Sequence, residues 1–118
     1  MNKIKPVLPS LREKKRYLVF EVISDKKLEN VNSISKTIMN DCQNYLGEMG
    51  MAKAGLMILN NKYNPNMQRG VIKVSHKMVD SLRAALCFVK EIDNQKVIVK
   101  SVGISGILKK AQNKYLAA

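Results

Sequence analysis

The sequence predicts an α+β domain with the ferredoxin-like order β-α-β-β-α-β, followed by an additional C-terminal helix. Two observations support this fold class: four short runs rich in β-branched and aromatic residues, and two longer segments whose apolar residues recur every three or four positions. The 118 residues suffice for one core, and a hydrophobic content of 46% is typical of a folded chain. We therefore expect a single domain over residues 1–118, in which a four-stranded antiparallel sheet carries two helices on one face.

The first strand is predicted over residues 17–23, which are mostly aromatic or β-branched and end at a Ser-Asp pair. Alternation along this strand predicts that Leu18, Phe20 and Val22 face the core. Residues 1–10, which precede a basic run, contain two prolines and are expected to form an extended arm.

Both main helices are predicted from spacings of three and four residues. The apolar stripe of the first helix consists of Val31, Ile34, Ile38, Cys42, Tyr45 and Met49. Asn32 or Ser33 can cap its start, and Gly47 and Gly50 indicate its end. The second helix is predicted over residues 76–92.

The remaining strands are predicted at residues 53–60, 69–74 and 96–102. The first two of these form a hairpin with a long, turn-rich loop, and Asp93-Asn94 is a turn before the last strand. A Gly-Ile-Ser-Gly sequence is expected to end the last strand. Residues 105–118 are then expected to form the C-terminal helix, with the serine at its start as N-cap.

The net charge of +12 is unevenly distributed along the chain. Residues 49–77 and 96–118 each carry five Lys or Arg and no acid, and residues 1–24 carry six against two acids. The segments 25–48 and 78–95, which contain the predicted helices, each have a net charge of −1. This pattern predicts a domain that presents one side to a polyanion. Nucleic acid is favoured over an anionic membrane, because the predicted helices are near neutral and tryptophan is absent.

The sequence does not indicate an active site built from this chain alone. His76 is the only histidine, and no paired carboxylates stand out. Cys42 and Cys87 lack neighbours at zinc-ligand spacing and are expected to be small buried side chains in a reducing compartment. With no membrane-spanning run and no signal peptide, we expect a cytoplasmic protein without membrane contact.

The candidate RNA contacts are cations and small residues at strand ends. An RRM, which shares the predicted fold, stacks bases on aromatic residues of its central strands. The strand that begins Arg69-Gly70 has no aromatic residue, so phosphate contacts are favoured over base stacking. The predicted RNA-binding residues are Arg12, Lys14, Lys15, Arg16, Tyr17, Arg69, Lys73, Lys100, Ser105, Gly106, Lys109 and Lys110.

Purely structural interpretations of these residues stay open. The basic run over residues 12–16 can be a solvated approach to a strand, and Arg69 can be a residue chosen for turn geometry. Ser105-Gly106 can be a helix cap alone, although the amides there could also hold a phosphate with help from Lys109 and Lys110.

Four segments, in this order, resemble the archaeal ribonuclease P protein component 2 family. They are residues 11–21 (LREKKRYLVFE), 54–59 (AGLMIL), 69–74 (RGVIKV) and 102–111 (VGISGILKKA), within a likeness that extends over residues 11–116. The family's basic run matches Arg12, Lys14, Lys15 and Arg16, its Arg-Gly strand start matches Arg69-Gly70, and its Ser-Gly-x-x-Lys-Lys element matches residues 105–110. The family often has Thr after this Ser-Gly, where the present chain has Ile107.

The resemblance implies a ferredoxin-like core. It also implies that the protein is a noncatalytic subunit of an RNA-based endonuclease, which removes the 5′ leader from precursor tRNA. The RNA cuts with bound magnesium, and the protein itself binds no cofactor. Implied partners are ribonuclease P RNA, precursor tRNA indirectly, and ribonuclease P protein component 3 as heterodimer partner, with self-association into a heterotetramer. The residues also leave open a general RRM-like or ribosomal RNA-binding protein, and a small ferredoxin-like phosphate-handling enzyme.

Overall fold

The computed structural model describes residues 14–117, so the arm predicted for residues 1–10 lies outside the described part. The elements in chain order are β1 (Lys15–Ser24), α1 (Val31–Ala54), β2 (Met57–Ile58), β3 (Arg69–Ser75), α2 (Val79–Leu86), β4 (Glu91–Ile92), β5 (Gln95–Ser105) and α3 (Leu108–Ala111). A turn of π-helix over Gln112–Leu116 continues α3. Short 3-10 turns lie at Asn60–Lys62 and His76–Met78.

The strands form one antiparallel sheet in the order β2-β3-β1-β5-β4. The long strand β1 lies at its centre and pairs with β3 over residues 15–21 and with β5 over residues 17–24. The mixed α/β class is confirmed, but the predicted number of four strands was wrong, because β4 adds a fifth. It forms a hairpin with β5 through Asp93 and Asn94, which have φ of 52° and 62°. Positive φ at both turn residues suits the right-handed twist of paired strands.

The core lies between the sheet and the two main helices. Leu18, Phe20 and Val22 of β1 are at most 2% exposed, and they pack with buried side chains of α1 and α2. The alternation predicted for the first strand is therefore confirmed. Burial of this apolar face supplies most of the favourable free energy for packing α1 and α2 on the same face of the sheet.

The C-terminal helix covers the opposite face of the sheet. Val19 and Val71 are fully buried there beneath Ala111 and Leu116. Gly103 makes the approach feasible, since a Cβ at this position would lie 2.0 Å from Cζ of Tyr115. Strand β5 accordingly runs through Gly103 to Ser105, whereas the sequence predicted a break there.

Helix α1 starts earlier and ends later than predicted. Its N-cap is Asn30, whose side chain accepts a hydrogen bond from the Ser33 amide at 3.2 Å, instead of Asn32 or Ser33 itself. Gly47, at φ 73°, interrupts the helix without ending it, and Gly55 in the left-handed conformation is the actual C-cap.

The later end of α1 shortens the strand that follows. Residues 53 and 54 belong to the helix, so the strand predicted over residues 53–60 contains only Met57 and Ile58. Two residues of the predicted apolar stripe, one before and one after Gly47, are also largely exposed. Met49 and Tyr45, both predicted to face the core, are 76% and 47% exposed.

Helix α2 is about half as long as predicted, because residues 76–78 form a 3-10 turn, residues 87–90 form a turn and a loop, and residues 91–92 belong to β4. Its early end leaves Cys87 exposed, contrary to the expectation that both cysteines are buried. Cys42 is buried as expected, and burial, with a smaller effect of Asp41, raises the pKa of its thiol to about 11. No helix among residues 14–117 is long and apolar enough to cross a membrane.

Candidate nucleic-acid interface

Charge distinguishes the two sides of the sheet. Helix α1 carries two lysines and two acids, and α2 carries one arginine and one aspartate, so both are neutral overall. The C-terminal helix and its π turn carry Lys109, Lys110 and Lys114, all exposed, and no acid. In β5, Lys96 and Lys100 alternate with buried Val97 and Val99, so these lysines lie on the α3 side. Among the helices and strands described, excess positive charge therefore belongs to the sheet and α3, in agreement with the charge pattern of the sequence.

Residues from three predicted segments meet where β1 begins. Tyr17 lies opposite Lys73 of β3 and opposite Ser105 of β5. The Arg16 guanidinium lies beside Gly106, since a Cβ there would be 3.6 Å from Nη1 of Arg16. Two further lysines follow at the start of α3. We call this group the basic end; it consists of Lys14, Lys15, Arg16, Tyr17, Lys73, Ser105, Gly106, Lys109 and Lys110.

Hydrogen bonds attach the basic run to the sheet. Arg16 donates from Nη1 to the Lys15 carbonyl at 3.1 Å. The Lys14 carbonyl accepts from the His76 amide at 2.8 Å and lies 3.0 Å from Nδ1 of the same histidine. Among the cations of this group, Lys14, Lys109 and Lys110 are exposed and Lys15, Arg16 and Lys73 are half-buried. Arg12, also predicted to bind RNA, lies outside the described residues.

Ser105 and Gly106 form the turn that leads into α3. The Ser105 hydroxyl accepts from the Ile107 amide at 3.1 Å and donates to the Ile107 carbonyl at 3.0 Å. The predicted N-cap role was wrong, because Ile107 occupies the N-cap position without a side-chain cap. With four residues of α-helix, α3 has few aligned dipoles to attract an anion. The turn instead sets the direction in which Lys109 and Lys110 leave the sheet.

Arg69 and Lys100 lie toward the other end of β1, opposite Glu21, at about 13 Å from Tyr17 along the strand. Arg69 donates from Nε to Oε1 of Glu21 at 2.8 Å and from Nη1 to the Tyr115 carbonyl at 2.9 Å. Lys100 Nζ is 3.4 Å from Oε2 of Glu21. The structure thus gives both cations an intramolecular partner, and through Arg69 it holds the end of the C-terminal helix.

Sequence reasoning missed Glu21 and Asn64. Burial alone would raise the pKa of Glu21, but the hydrogen bonds and charges of Arg69 and Lys100 outweigh it and hold the pKa below its ordinary value. Asn64 donates from Nδ2 to the Leu116 carbonyl at 2.7 Å and so fixes the same helix end. The sequence does indicate that Glu21 has a cationic partner. It is a single acid on the outer face of its predicted strand, in a chain that is rich in lysine and arginine.

The arrangement does not favour base stacking of the RRM kind. Tyr17 is half-buried and packs against the buried cluster that contains Val19 and Ala111, and Tyr115 lies against Gly103. The centre of the sheet therefore presents the C-terminal helix where an RRM presents exposed rings. Within residues 14–117, no three His, Cys, Asp or Glu side chains are grouped so that they could hold a metal ion. The exposed cations of the basic end can attract anions.

Known proteins resemble this chain along almost its whole length. The sequence profile of the Rpp14/Pop5 family matches residues 16–116. A protein of Pyrococcus horikoshii named Ribonuclease P protein component 2 is 33% identical over 99% of this chain and 95% of its own length. Its namesake in Pyrococcus furiosus is 36% identical over 96% of this chain and 92% of its own length. A chain in a cryo-EM structure of yeast ribonuclease MRP superposes with a TM-score of 0.60 at 12% identity, covering 80% of this chain and 76% of that chain, so the two share a fold.

Proposed function

The chain belongs to the Rpp14/Pop5 family, and we infer that it is a protein subunit of ribonuclease P. The observation that carries this conclusion is the match of the family profile to residues 16–116. Relatives named Ribonuclease P protein component 2 align over more than nine-tenths of both chains, so the match is not confined to a shared motif. The protein therefore acts in tRNA processing, within a ribonucleoprotein.

We propose that the basic end, together with Lys114, binds backbone phosphates of ribonuclease P RNA. Support comes from the convergence of cations from separate segments where β1 begins, and from the neutrality of α1 and α2 on the other side of the sheet. Phosphate contacts position a protein on a nucleic acid without reading its sequence. Cations held by a rigid domain offset the repulsion between crowded phosphates of a folded RNA.

In this proposal the protein is noncatalytic, and the RNA removes the 5′ leader from precursor tRNA. The magnesium for that reaction belongs to the RNA component, and precursor tRNA is reached indirectly. Ribonuclease P protein component 3 is the proposed heterodimer partner, with self-association into a heterotetramer, and the cytoplasm is the proposed location. These elements rest on the family resemblance.

The ferredoxin-like topology is also a proposal. Its support is the order β2-β3-β1-β5 of the four other strands, with α1 between β1 and β2 and with α2 between β3 and β5. The short strand β4 would then be an addition to the common pattern.

Purification of the tagged protein from its host, followed by sequencing of the bound RNA, tests the function. We expect enrichment of ribonuclease P RNA and copurification of precursor-tRNA cleavage. Enrichment of ribosomal RNA in its place would favour a general RNA-binding protein. Turnover of a phosphate ester by the purified chain without RNA would favour the phosphate-handling enzyme.

Charge reversal tests the basic end as the surface involved. Replacing Lys109→Glu and Lys110→Glu together should lower affinity for ribonuclease P RNA at least tenfold at 0.1 M salt. If both lysines contact phosphates, the slope of log affinity against log salt should decrease by about 2, because each contact contributes about 0.9. The matched control is Lys36→Glu with Lys53→Glu, two exposed lysines of α1 that give the same change in net charge. Equal losses in both variants would mean that net charge alone matters and would remove the basic end from the interface.

A further inference from the structure

The outer edge of β5 has a strand partner over only a small part of its length. On one side β5 pairs with β1 over residues 97–105, but on the other side β4 pairs only with Gln95 and Lys96. The Val97 amide still donates to the Lys90 carbonyl at 2.9 Å. Beyond Val97, no strand within residues 14–117 pairs with this edge. A strand edge of this kind is a template for another strand.

The direction of the Val97 amide determines which backbone groups face outward. In an antiparallel ladder, successive residues direct their N–H and C=O groups to opposite sides. Because Val97 donates outward, Val99 and Ser101 also direct their N–H and C=O groups away from β1. An added strand could therefore form backbone hydrogen bonds with both the N–H and the C=O groups of Val99 and Ser101.

A groove of about 750 Å³ borders this edge. On the helix side it is lined by Arg83, Cys87 and Val89, and on the sheet side by residues 97–101. Ile98 is 63% exposed within it. A strand placed along β5 would direct alternate side chains toward the end of α2 and toward Ile98, which matches a groove lined from both faces of the sheet.

The rim of the groove selects the occupant by charge. Arg83, Lys90, Lys96 and Lys100 surround it, and Glu91 is the one acid among the lining residues. Arg83 and Lys100 have acidic neighbours of their own at 3.7 and 3.4 Å, but both remain more than half exposed. A second copy of this chain would bring the same lysines against each other, which disfavours pairing of two such edges. The apolar lining and the backbone groups suit a polypeptide better than a polyphosphate.

We propose that this groove binds an extended, acidic segment of another protein, which adds to the sheet beside β5 as a further strand. The proposal does not rest on RNA binding by the basic end. The free edge along residues 98–101 spans about 14 Å at 3.4 Å per residue, so a short peptide should bind with a dissociation constant on the order of 10–100 μM.

A synthetic nine-residue peptide that alternates Glu with Val and Thr, blocked at both ends, is the probe. We titrate it into the isotope-labelled full chain and follow backbone amides by NMR and hydrogen exchange. We expect saturable binding, at least tenfold slower exchange of the Val99 and Ser101 amides, and at least tenfold weaker binding of the matched peptide with Lys in place of Glu. Lys90→Glu, at the exposed rim, should weaken binding about threefold to tenfold, whereas the control Lys36→Glu should leave it within twofold.

Four results of the peptide titration would overturn the proposal, and a fifth result, obtained without peptide, would also do so. They are no saturable binding up to millimolar peptide, equal binding of the acidic and basic peptides, protection of amides elsewhere, and displacement of the acidic peptide by an oligouridylate, which would make the groove an RNA site. Concentration-dependent shifts of the Val99 and Ser101 amides without peptide would likewise replace the acidic segment with a second copy of the chain. The variant Lys109→Glu with Lys110→Glu should bind the peptide normally, which keeps this result separate from the RNA proposal.

Discussion

Replacing Arg69→Ala should destabilise the protein by removing one of two side-chain bonds to the end of the C-terminal helix. Arg69 bridges the Glu21 carboxylate and the Tyr115 carbonyl, at 2.8 and 2.9 Å. Removing it leaves Glu21 with Lys100 alone and deprives a helix-end carbonyl of its donor. The C-terminal helix covers Val19 and Val71, and its end would then rely on the bond from Asn64 to the Leu116 carbonyl.

The expected magnitude follows from the two hydrogen bonds. The Arg69 and Glu21 side chains are only 23% and 19% exposed, so their bond belongs among charge-assisted ones worth about 1.5–3 kcal/mol. The bond to the Tyr115 carbonyl adds about 1 kcal/mol, while Lys100 compensates part of the loss at Glu21. We expect the free energy of unfolding to decrease by about 2–3 kcal/mol, and Tm to fall by about 8–12 °C for a domain of this size.

Urea unfolding at several pH values provides the assay. The folded-state pKa of Glu21 lies below its ordinary value of 4.5, so its contribution to stability is present above pH 4.5 and is lost as the pH falls through the folded-state pKa. The difference between wild type and Arg69→Ala should therefore be full at pH 7 and should shrink below pH 4.5. The control Lys100→Ala should cost less than about 1 kcal/mol, because that side chain is 54% exposed.

A loss below about 0.5 kcal/mol at pH 7, or a difference that stays constant from pH 7 to pH 3, would refute this reasoning. RNA binding provides an independent readout of the same variant. If Arg69 contacts no phosphate, the salt slope of RNA binding should be unchanged, whereas loss of one contact would decrease it by about 0.9.

Two further predictions concern the C-terminal helix and the thiols. Gly103→Ala should cost about 1–3 kcal/mol in urea unfolding, because a Cβ would lie 2.0 Å from the Tyr115 ring. Gly106→Ala, whose Cβ would meet nothing closer than 3.6 Å, should stay within 1 kcal/mol, and equal costs would contradict the packing argument. A thiol reagent at pH 8 should modify Cys87 and spare Cys42 until the chain unfolds, since Cys42 is buried with a pKa of about 11. Modification of two thiols per folded chain would contradict the burial of Cys42.

The C-terminal helix changes how the sheet can meet RNA. By covering Val19 and Val71, it removes the central surface on which an RRM stacks bases. Exposed cations remain at one end of the sheet, on the C-terminal helix, and at Lys96 and Lys100 of β5. We propose that the cations of the basic end and of this helix hold the protein on a folded RNA through its phosphates.

Local patterns in the sequence determined the main strands and the sign of the charge on each layer. Alternation alone placed Leu18, Phe20 and Val22 in the core, because the period of two along a strand does not depend on the partner strand. The basic segments were also visible as sequence, because charge is counted residue by residue. Ordered segments with family-specific residues were enough to indicate the family that the comparisons show.

Tertiary contacts decided the rest, because they join residues that no local window contains. Gly47 is typical of a helix end, but the helix resumes after this one residue of positive φ, and Met51 and Ala54 beyond it pack on the core. Strand β4 exists because it pairs with β5, and apolar residues recurring every three or four positions cannot distinguish it from the end of a helix. The bond between Glu21 and Arg69 joins residues 48 positions apart. Strand register places Arg69 opposite Glu21 and leaves the edge of β5 free, and only the folded sheet defines this register.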